Sequence, residues 1–201
     1  MKTIAIFGGT GMTGECAVKH ALSRGFTVKV LYRNEATVPD AFKENVVLVK
    51  GDVTCADDVK KVIDGVDAVC VVLGTRNKLE PTTEMSRGTQ NIIDSMKHCG
   101  VDRISVCLST FLLRSPSEVP PIFTDLNNEH KRMLEIVKNS GLNYVCVLPP
   151  HISSDPPGEV DISHDKPISR QISKYDLGKF LIESLVHPEY FGTICCIANK
   201  V

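Results

Sequence analysis

Net charge is almost absent from this chain: 23 basic residues against 24 acidic ones leave a formal charge of −1 over 201 residues. No general field gathers nucleic acid or an anionic membrane, so an anion has to be held by a local site. The expected ligand is small rather than polymeric. Long apolar runs are missing too. The opening Met1-Lys2-Thr3-Ile4-Ala5-Ile6-Phe7 meets glycine after a stretch too short for a signal-peptide core, and no later stretch approaches a membrane span. The expectation is a cytoplasmic protein with neither a nucleic-acid nor a membrane partner. Cysteine spacing excludes one more class. Cys16, Cys55, Cys70, Cys99, Cys107, Cys146, Cys195 and Cys196 are scattered, with no pair at metal-ligand spacing. No metal is expected, and the cysteines read mostly as buried thiols in a reducing compartment.

Against those absences stands a regular alternation. Apolar, β-branched runs fall at 3–7, 27–32, 46–50, 67–73, 103–108, 143–148 and, more weakly, 193–197. Helix patterns fill 12–24, 55–64, 82–99, 124–140 and 174–186, several of them closed by glycine at Gly25, Gly65, Gly100 and Gly141. The alternation predicts an α/β fold, a Rossmann-like doubly wound parallel sheet with helices on both faces, as one domain over 1–201. Two stretches break the rhythm: 110–123, with Pro120-Pro121, and 149–170, with Pro149-Pro150 and Pro156-Pro157-Gly158. Both follow predicted strands and emerge at the carboxyl edge of the sheet, where such proteins bind ligands. They are the expected walls of a substrate cleft.

Gly8-Gly9-Thr10-Gly11-Met12-Thr13-Gly14 follows the first strand and opens the first helix. The spacing is G-x-x-G-x-x-G, a relative of the dinucleotide fingerprint. Glycine lets the backbone turn tightly and approach a pyrophosphate, whose charge meets the free N–H groups of the helix N-terminus. The end of the second strand separates the two nicotinamide cofactors, because an acidic residue there hydrogen-bonds the ribose of NAD and repels a 2′-phosphate. Here it reads Leu31-Tyr32-Arg33-Asn34, and a guanidinium forks onto phosphate, which favours NADPH over the alternative of a solvated surface charge. Asp52, in Gly51-Asp52-Val53, reads equally as an acceptor for the adenine amino group and as a turn aspartate. Gly74, in Leu73-Gly74-Thr75-Arg76-Asn77, lets the chain pass close beneath a cofactor, while Arg76 reads equally as a contact and as a loop cation.

With these residues in place, the chain resembles the NADPH-dependent flavin reductase and biliverdin-IXβ reductase family of the atypical short-chain dehydrogenases. The match rests on Ile4-Ala5-Ile6-Phe7-Gly8 with the glycine turn, Leu73-Gly74-Thr75-Arg76-Asn77, Pro81-Thr82-Thr83 with Met85-Ser86, and Phe111-Leu112-Leu113. It continues through Val119-Pro120-Pro121, Pro149-Pro150-His151-Ile152, and Ile172-Ser173-Lys174 with Asp176-Leu177-Gly178. The resemblance implies a monomeric enzyme that passes hydride from NADPH to flavins and biliverdin isomers. It implies phosphate contacts at Thr10, Gly11, Met12, Thr13 and Arg33, and adenine contacts at Asp52 and Val53. Further cofactor neighbours are implied at Leu73, Gly74, Met85, His130, Pro150, His151 and Ile152, and an active-site pair at Ser109 and His151. The chain departs from the family in three places. Thr37 stands where a second arginine follows the strand-two arginine, Arg114 replaces a tryptophan, and Ile122 replaces an arginine.

Short-chain dehydrogenases commonly use a Tyr-x-x-x-Lys pair, and Tyr175-Asp176-Leu177-Gly178-Lys179 has that spacing. It lies one helix too late, the expected position being occupied by His130-Lys131-Arg132-Met133, so Tyr175 and Lys179 read as an amphipathic surface pair. Ser109 ends the fifth strand, where its hydroxyl either reaches a reacting group or makes a local turn bond. His151 reads as a proton donor or, slightly favoured, as a neutral lining residue, because solvent suffices to protonate a reduced flavin or bilin. Phe111 and Leu112 offer an apolar floor for a planar substrate or else belong to the core. Arg114, Lys166 and Arg170 read as partners for a flavin phosphate or bilin propionates, or as loop cations. Cys107 reads as a buried, inert thiol. The rival to a reductase is a non-catalytic NADP(H)-binding redox sensor of the same fold.

Overall fold

Thr3–Phe7 forms the first strand, β1, and its side chains divide: Ile4 and Ile6 join one apolar cluster, Ala5 and Phe7 another. A strand sends alternate side chains to opposite faces, and both faces here are apolar, so the sheet must be covered on both sides. The computed structural model describes residues 1–75, 80–168 and 170–200. After β1 come α1 (Met12–Ser23), β2 (Thr27–Tyr32), β3 (Val47–Lys50), α2 (Ala56–Ile63), β4 (Ala68–Val71), α3 (Glu84–Cys99) and β5 (Arg103–Cys107). The chain continues through α4 (Thr124–Lys138), β6 (Asn143–Leu148), β7 (His151–Ser153), β8 (Val160–His164), β9 (Gln171–Ser173), α5 (Lys174–Glu183) and β10 (Thr193–Asn199). Arg76 and Asn77 lie outside the described residues.

The main sheet has eight strands in the order β3-β2-β1-β4-β5-β6-β10-β8, parallel except for the β10–β8 pair. One apolar cluster joins the sheet to α1 and α5, and the other joins it to α2, α3 and α4. Strand order reverses between β1 and β4, where the crossovers diverge and leave a crevice at the carboxyl edge. Register places Phe7 beside both Leu31 and Val71. The segments that leave β1, β2 and β4 are therefore level with one another. This is the α/β parallel-sheet architecture that the alternation predicts.

The region 149–170 differs from the expectation of irregular chain. Residues 151–153 pair in parallel with 171–173 as a separate two-stranded sheet, and 160–164 runs antiparallel to β10 as the edge of the main sheet. These strands are only three and five residues long and depend on partners distant in sequence, so local periodicity does not announce them.

Asp176 holds this region to the body of the fold. Its side chain is buried at the start of α5 and accepts hydrogen bonds from the Gly158 N–H (2.9 Å) and Asn199 Nδ2 (2.7 Å). Ser173 strengthens the same joint: its hydroxyl donates to the Asp155 carbonyl and its N–H to Asn199 Oδ1. Removing the buried carboxylate strips two part-buried donors of a charged acceptor, at a cost of about 1–3 kcal/mol. Asp176→Ala should therefore lower the urea unfolding midpoint by that amount of stability, and increased protease cutting near Gly158 should accompany it. An unchanged midpoint would show that water replaces the carboxylate.

Candidate functional site

β1 delivers the chain into a turn that only glycine can make. Gly8 has φ +85°, and a Cβ there would lie 2.2 Å from the Val72 carbonyl oxygen, so the turn sits directly against the end of β4. The Gly11 N–H donates to the Gly8 carbonyl (3.0 Å), and Gly11 is the N-cap of α1. No side chain caps this helix. The first N–H groups of an α-helix have no partner within it, and these open at the crevice. The turn, the first residues of α1 and the ends of β2 and β4 enclose a cavity of about 430 Å³.

The cavity gathers a large part of the residues picked out in the sequence. Gly8, Thr10, Gly11, Met12, Thr13 and Gly14 form one wall, Arg33 and Val53 the β2–β3 end, Leu73 and Gly74 the β4 side, and Met85, His130 and Ile152 the remainder. Asp52 is outside the wall. Its Oδ1 accepts from the Thr54 N–H (2.8 Å) and hydroxyl (2.7 Å), and its Oδ2 lies 3.7 Å from Arg33 Nη1. The Thr54 N–H, then its hydroxyl and more weakly Arg33, hold the Asp52 carboxyl below the usual carboxylate range. Of the two readings of Asp52, the turn role is the one that these contacts show. Thr37 donates to the Asn34 carbonyl (2.7 Å) and lies 3.5 Å from the Thr10 hydroxyl, joining the β2 turn to the glycine turn.

The residues chosen for substrate and proton chemistry lie apart from this wall. Ser109 caps the 3₁₀ turn Thr110–Leu113, accepting from the Phe111 N–H at 3.3 Å. His151 and Ile152 are neighbours on β7, and a strand cannot send both to one side: Ile152 faces the cavity and His151 is exposed. Pro150 precedes them and is half-buried. Phe111 stacks on Phe123, with ring centroids 5.6 Å apart, and Arg114 lies 5.6 Å over the Phe111 ring. Leu112 packs at the margin of the α2–α4 core. Arg170 is ion-paired to Asp161 on β8, and Lys166 is exposed. Tyr175 and Lys179 border a separate surface dent with Cys16 and His20. The two cleft loops are joined where the Thr110 N–H donates to the Pro149 carbonyl (3.1 Å).

Two groups inside the cavity have protonation states set by burial. The Cys107 thiol is pushed up to about 12 and stays protonated. Desolvation outweighs the pull of neighbouring Glu129 and brings His130 down to about 4, and its Nδ1 has no hydrogen-bond partner. The imidazole is therefore neutral at pH 7 in the wall of the cavity.

Sequence reasoning passed over Glu84 and Glu129. Glu84 lines the cavity from the first turn of α3, with Oε2 3.6 Å from Arg33 Nη1. Glu129 is fully buried, accepting from the Ser86 N–H (2.7 Å) and from Arg132 Nε (2.8 Å). By spacing alone, an acid in a first helical turn reads as a dipole partner and Glu129-x-x-Arg132 as a surface pair.

A glycine turn, an uncapped helix and a guanidinium at the tip of the next strand, meeting at the reversal of strand order, define a dinucleotide-binding domain of Rossmann type. The chain belongs to the NAD(P)H-binding family, whose pattern matches residues 8–188. It is 28% identical over 210 residues to an uncharacterized chloroplastic protein of Arabidopsis thaliana, covering 94% of this chain and 73% of that one. A putative NAD-dependent epimerase/dehydratase from Bacillus halodurans superposes with TM-score 0.87 at 19% identity, covering 100% of this chain and 95% of that one. A short-chain dehydrogenase/reductase from Veillonella parvula, solved in complex with NADP, gives 0.82 at 14%, covering 99% and 95%. At such identities the shared property is the fold. Among the described residues no helix is long and apolar enough to cross a membrane, and no group of three or more His, Cys, Asp or Glu is placed to hold a metal ion.

His130 supplies a pH test. Its folded pKa lies below the ordinary 6.5, so between 6.5 and about 4 the unfolded chain binds the proton first, and stability falls as pH falls through that window. The full effect amounts to about 3 kcal/mol. In urea titrations at pH 7, 5 and 4, His130→Gln should lose less stability on acidification than the parent. Parallel losses would place the imidazole's titration near its ordinary value.

Proposed function

We propose that this protein is an NADPH-dependent reductase of small planar acceptors, with flavins and biliverdin as the substrate class. The observation that carries the cofactor half is Arg33: its guanidinium, about half exposed, lines the same cavity as the glycine turn, where no acidic residue occupies the tip of β2. When bound, a reduced nicotinamide supplies the hydride. The chain's own contribution is to hold and orient, with N–H groups of α1 and Arg33 toward phosphate and the apolar Leu73, Met85 and Ile152 excluding water.

The acceptor half is supported by the family resemblance and by the carboxyl-edge platform of Phe111, Phe123 and Arg114, which offers aromatic faces beside a cation to a planar anionic molecule. His130 is already deprotonated and Cys107 holds its proton at neutral pH, so neither acts as the acid. Solvent is the proton source in this reading, and Ser109 and His151 orient the acceptor at the joined loops. A putative epimerase is among the structural relatives, but here Tyr175 and Lys179 are away from the cavity.

The test is steady-state NADPH oxidation with flavin mononucleotide, riboflavin and biliverdin in turn. Absence of turnover alongside tight NADPH binding would favour the redox sensor instead. Arg33→Ala should weaken NADPH binding by about tenfold and leave NADH nearly unchanged; equal losses would remove Arg33 from the phosphate site. Tyr175→Phe should keep most of the turnover. A loss of about a hundredfold, the scale of a general acid, would return that tyrosine to the reaction.

A further inference from the structure

Arg33 already has carboxylate partners. Its Nη1 lies between two carboxylates, Asp52 Oδ2 at 3.7 Å and Glu84 Oε2 at 3.6 Å. The two acids differ in kind. Asp52 is fastened by Thr54 through its other oxygen, whereas the Glu84 side chain is 65% exposed and lies on the cavity wall. The backbone beneath Glu84 is fixed. Its own N–H donates to Thr82 Oγ1 (3.1 Å), the Thr82 carbonyl accepts from Arg132 (2.8 Å), and the Ser86 N–H is held by buried Glu129. Only the side chain has freedom to leave.

We propose that Glu84 is a specificity-determining residue that competes with the 2′-phosphate of the dinucleotide for Arg33 and so narrows the protein's preference for NADPH over NADH. The inference rests on the cofactor reading above and adds to it the residue that limits the preference. A phosphate that forks onto Arg33 must either displace the Glu84 carboxylate into solvent or share the guanidinium with it at like charge. The first loses an exposed ion pair. The second sets a carboxylate against a phosphate dianion across a few ångströms in a water-like dielectric. Either cost amounts to about threefold to tenfold in affinity. NADH carries a ribose hydroxyl at that position, which a carboxylate accepts from without penalty, so its binding is indifferent to Glu84 or slightly helped by it.

The experiment is a calorimetric titration of parent and Glu84→Gln with NADPH and NADH. Adenosine 2′,5′-bisphosphate and adenosine 5′-monophosphate serve as probes that carry the same distinction without any redox chemistry. Glu84→Gln should tighten NADPH and the bisphosphate by about threefold to tenfold, leave NADH and the monophosphate within about twofold, and lose most of its advantage in 1 M salt, where the Debye length falls to about 3 Å. Glu189→Gln, a remote loss of the same charge, should move none of the four. An equal gain for both members of each pair, or a gain reproduced by Glu189→Gln, overturns the inference. Failure of the parent to bind either dinucleotide overturns the cofactor reading and this one with it. The thermal midpoint without ligand should match the parent's, because the changed side chain is mostly in solvent; a fall of several degrees with no split between the cofactors would make Glu84 a structural residue and overturn the proposal.

Discussion

The site depends on two backbones touching where a side chain would ordinarily stand. A Cβ on Gly14 would lie 2.1 Å from the Gly8 carbonyl oxygen, far inside any permissible contact. Only with hydrogen at that position does α1 begin directly against the end of β1 instead of one residue further out. The position of its open N-terminus follows from that contact, and so does the narrowness of the gap across which Thr10 approaches Thr37 of the β2 turn. Since Gly8 is in turn pressed under the Val72 carbonyl, β1, β4 and α1 form one rigid corner. Pre-formed donors at such a corner meet an anion without reorganisation, which is why a nearly neutral chain can hold a polyanionic ligand.

What the sequence shows and hides follows from the range of each interaction. The parallel strands of the main sheet and the helices are visible because most of them bury apolar faces of their own, as Ile4 and Ile6 against Ala5 and Phe7 illustrate. The glycine turn and Arg33 are visible because their meaning is fixed by position, immediately after a strand. β7, β8 and β9 are hidden in a proline-rich stretch because the pairing that makes them strands comes from residues 171–173 and from β10. Glu84 is hidden for the same reason. It stands 51 residues beyond Arg33, and only the closure of β1 against β4 brings the first turn of α3 over the tip of β2. Which of the neighbours His151 and Ile152 faces the cavity is likewise hidden, because pairing with 171–173 turns Ile152 inward.

Charge is distributed unevenly over the cavity and its margin. Arg33, Asp52 and Glu84 all lie at the β2–β3 end, partly exposed, where water screens them and small differences in arrangement decide between ligands. Toward β4 and β5 the wall is Leu73, Met85, Leu108, Cys107 and His130, and burial keeps the last two uncharged at neutral pH. An uncharged, poorly hydrated surface strengthens any dipole or partial charge brought against it, because little water competes.

Such a division constrains how the cleft can choose a partner. Away from the β2–β3 end, the two loops at the carboxyl edge present aromatic faces, the Arg114 cation and hydrogen-bonding groups. Those loops are joined to each other at Thr110 and Pro149, and the second is fastened again through Gly158 to Asp176 and through Arg170 to Asp161. Fastened loops keep the width of the cleft constant while leaving its surface chemistry to a few side chains such as Phe111 and Arg114. Substitutions there leave the corner at the glycine turn undisturbed, since the nearest shared element is β5, whose end is buried core. The departures at Arg114 and Ile122 fall in this tolerant zone, on loop residues 110–123, whereas the glycine turn, where no side chain has room, carries none.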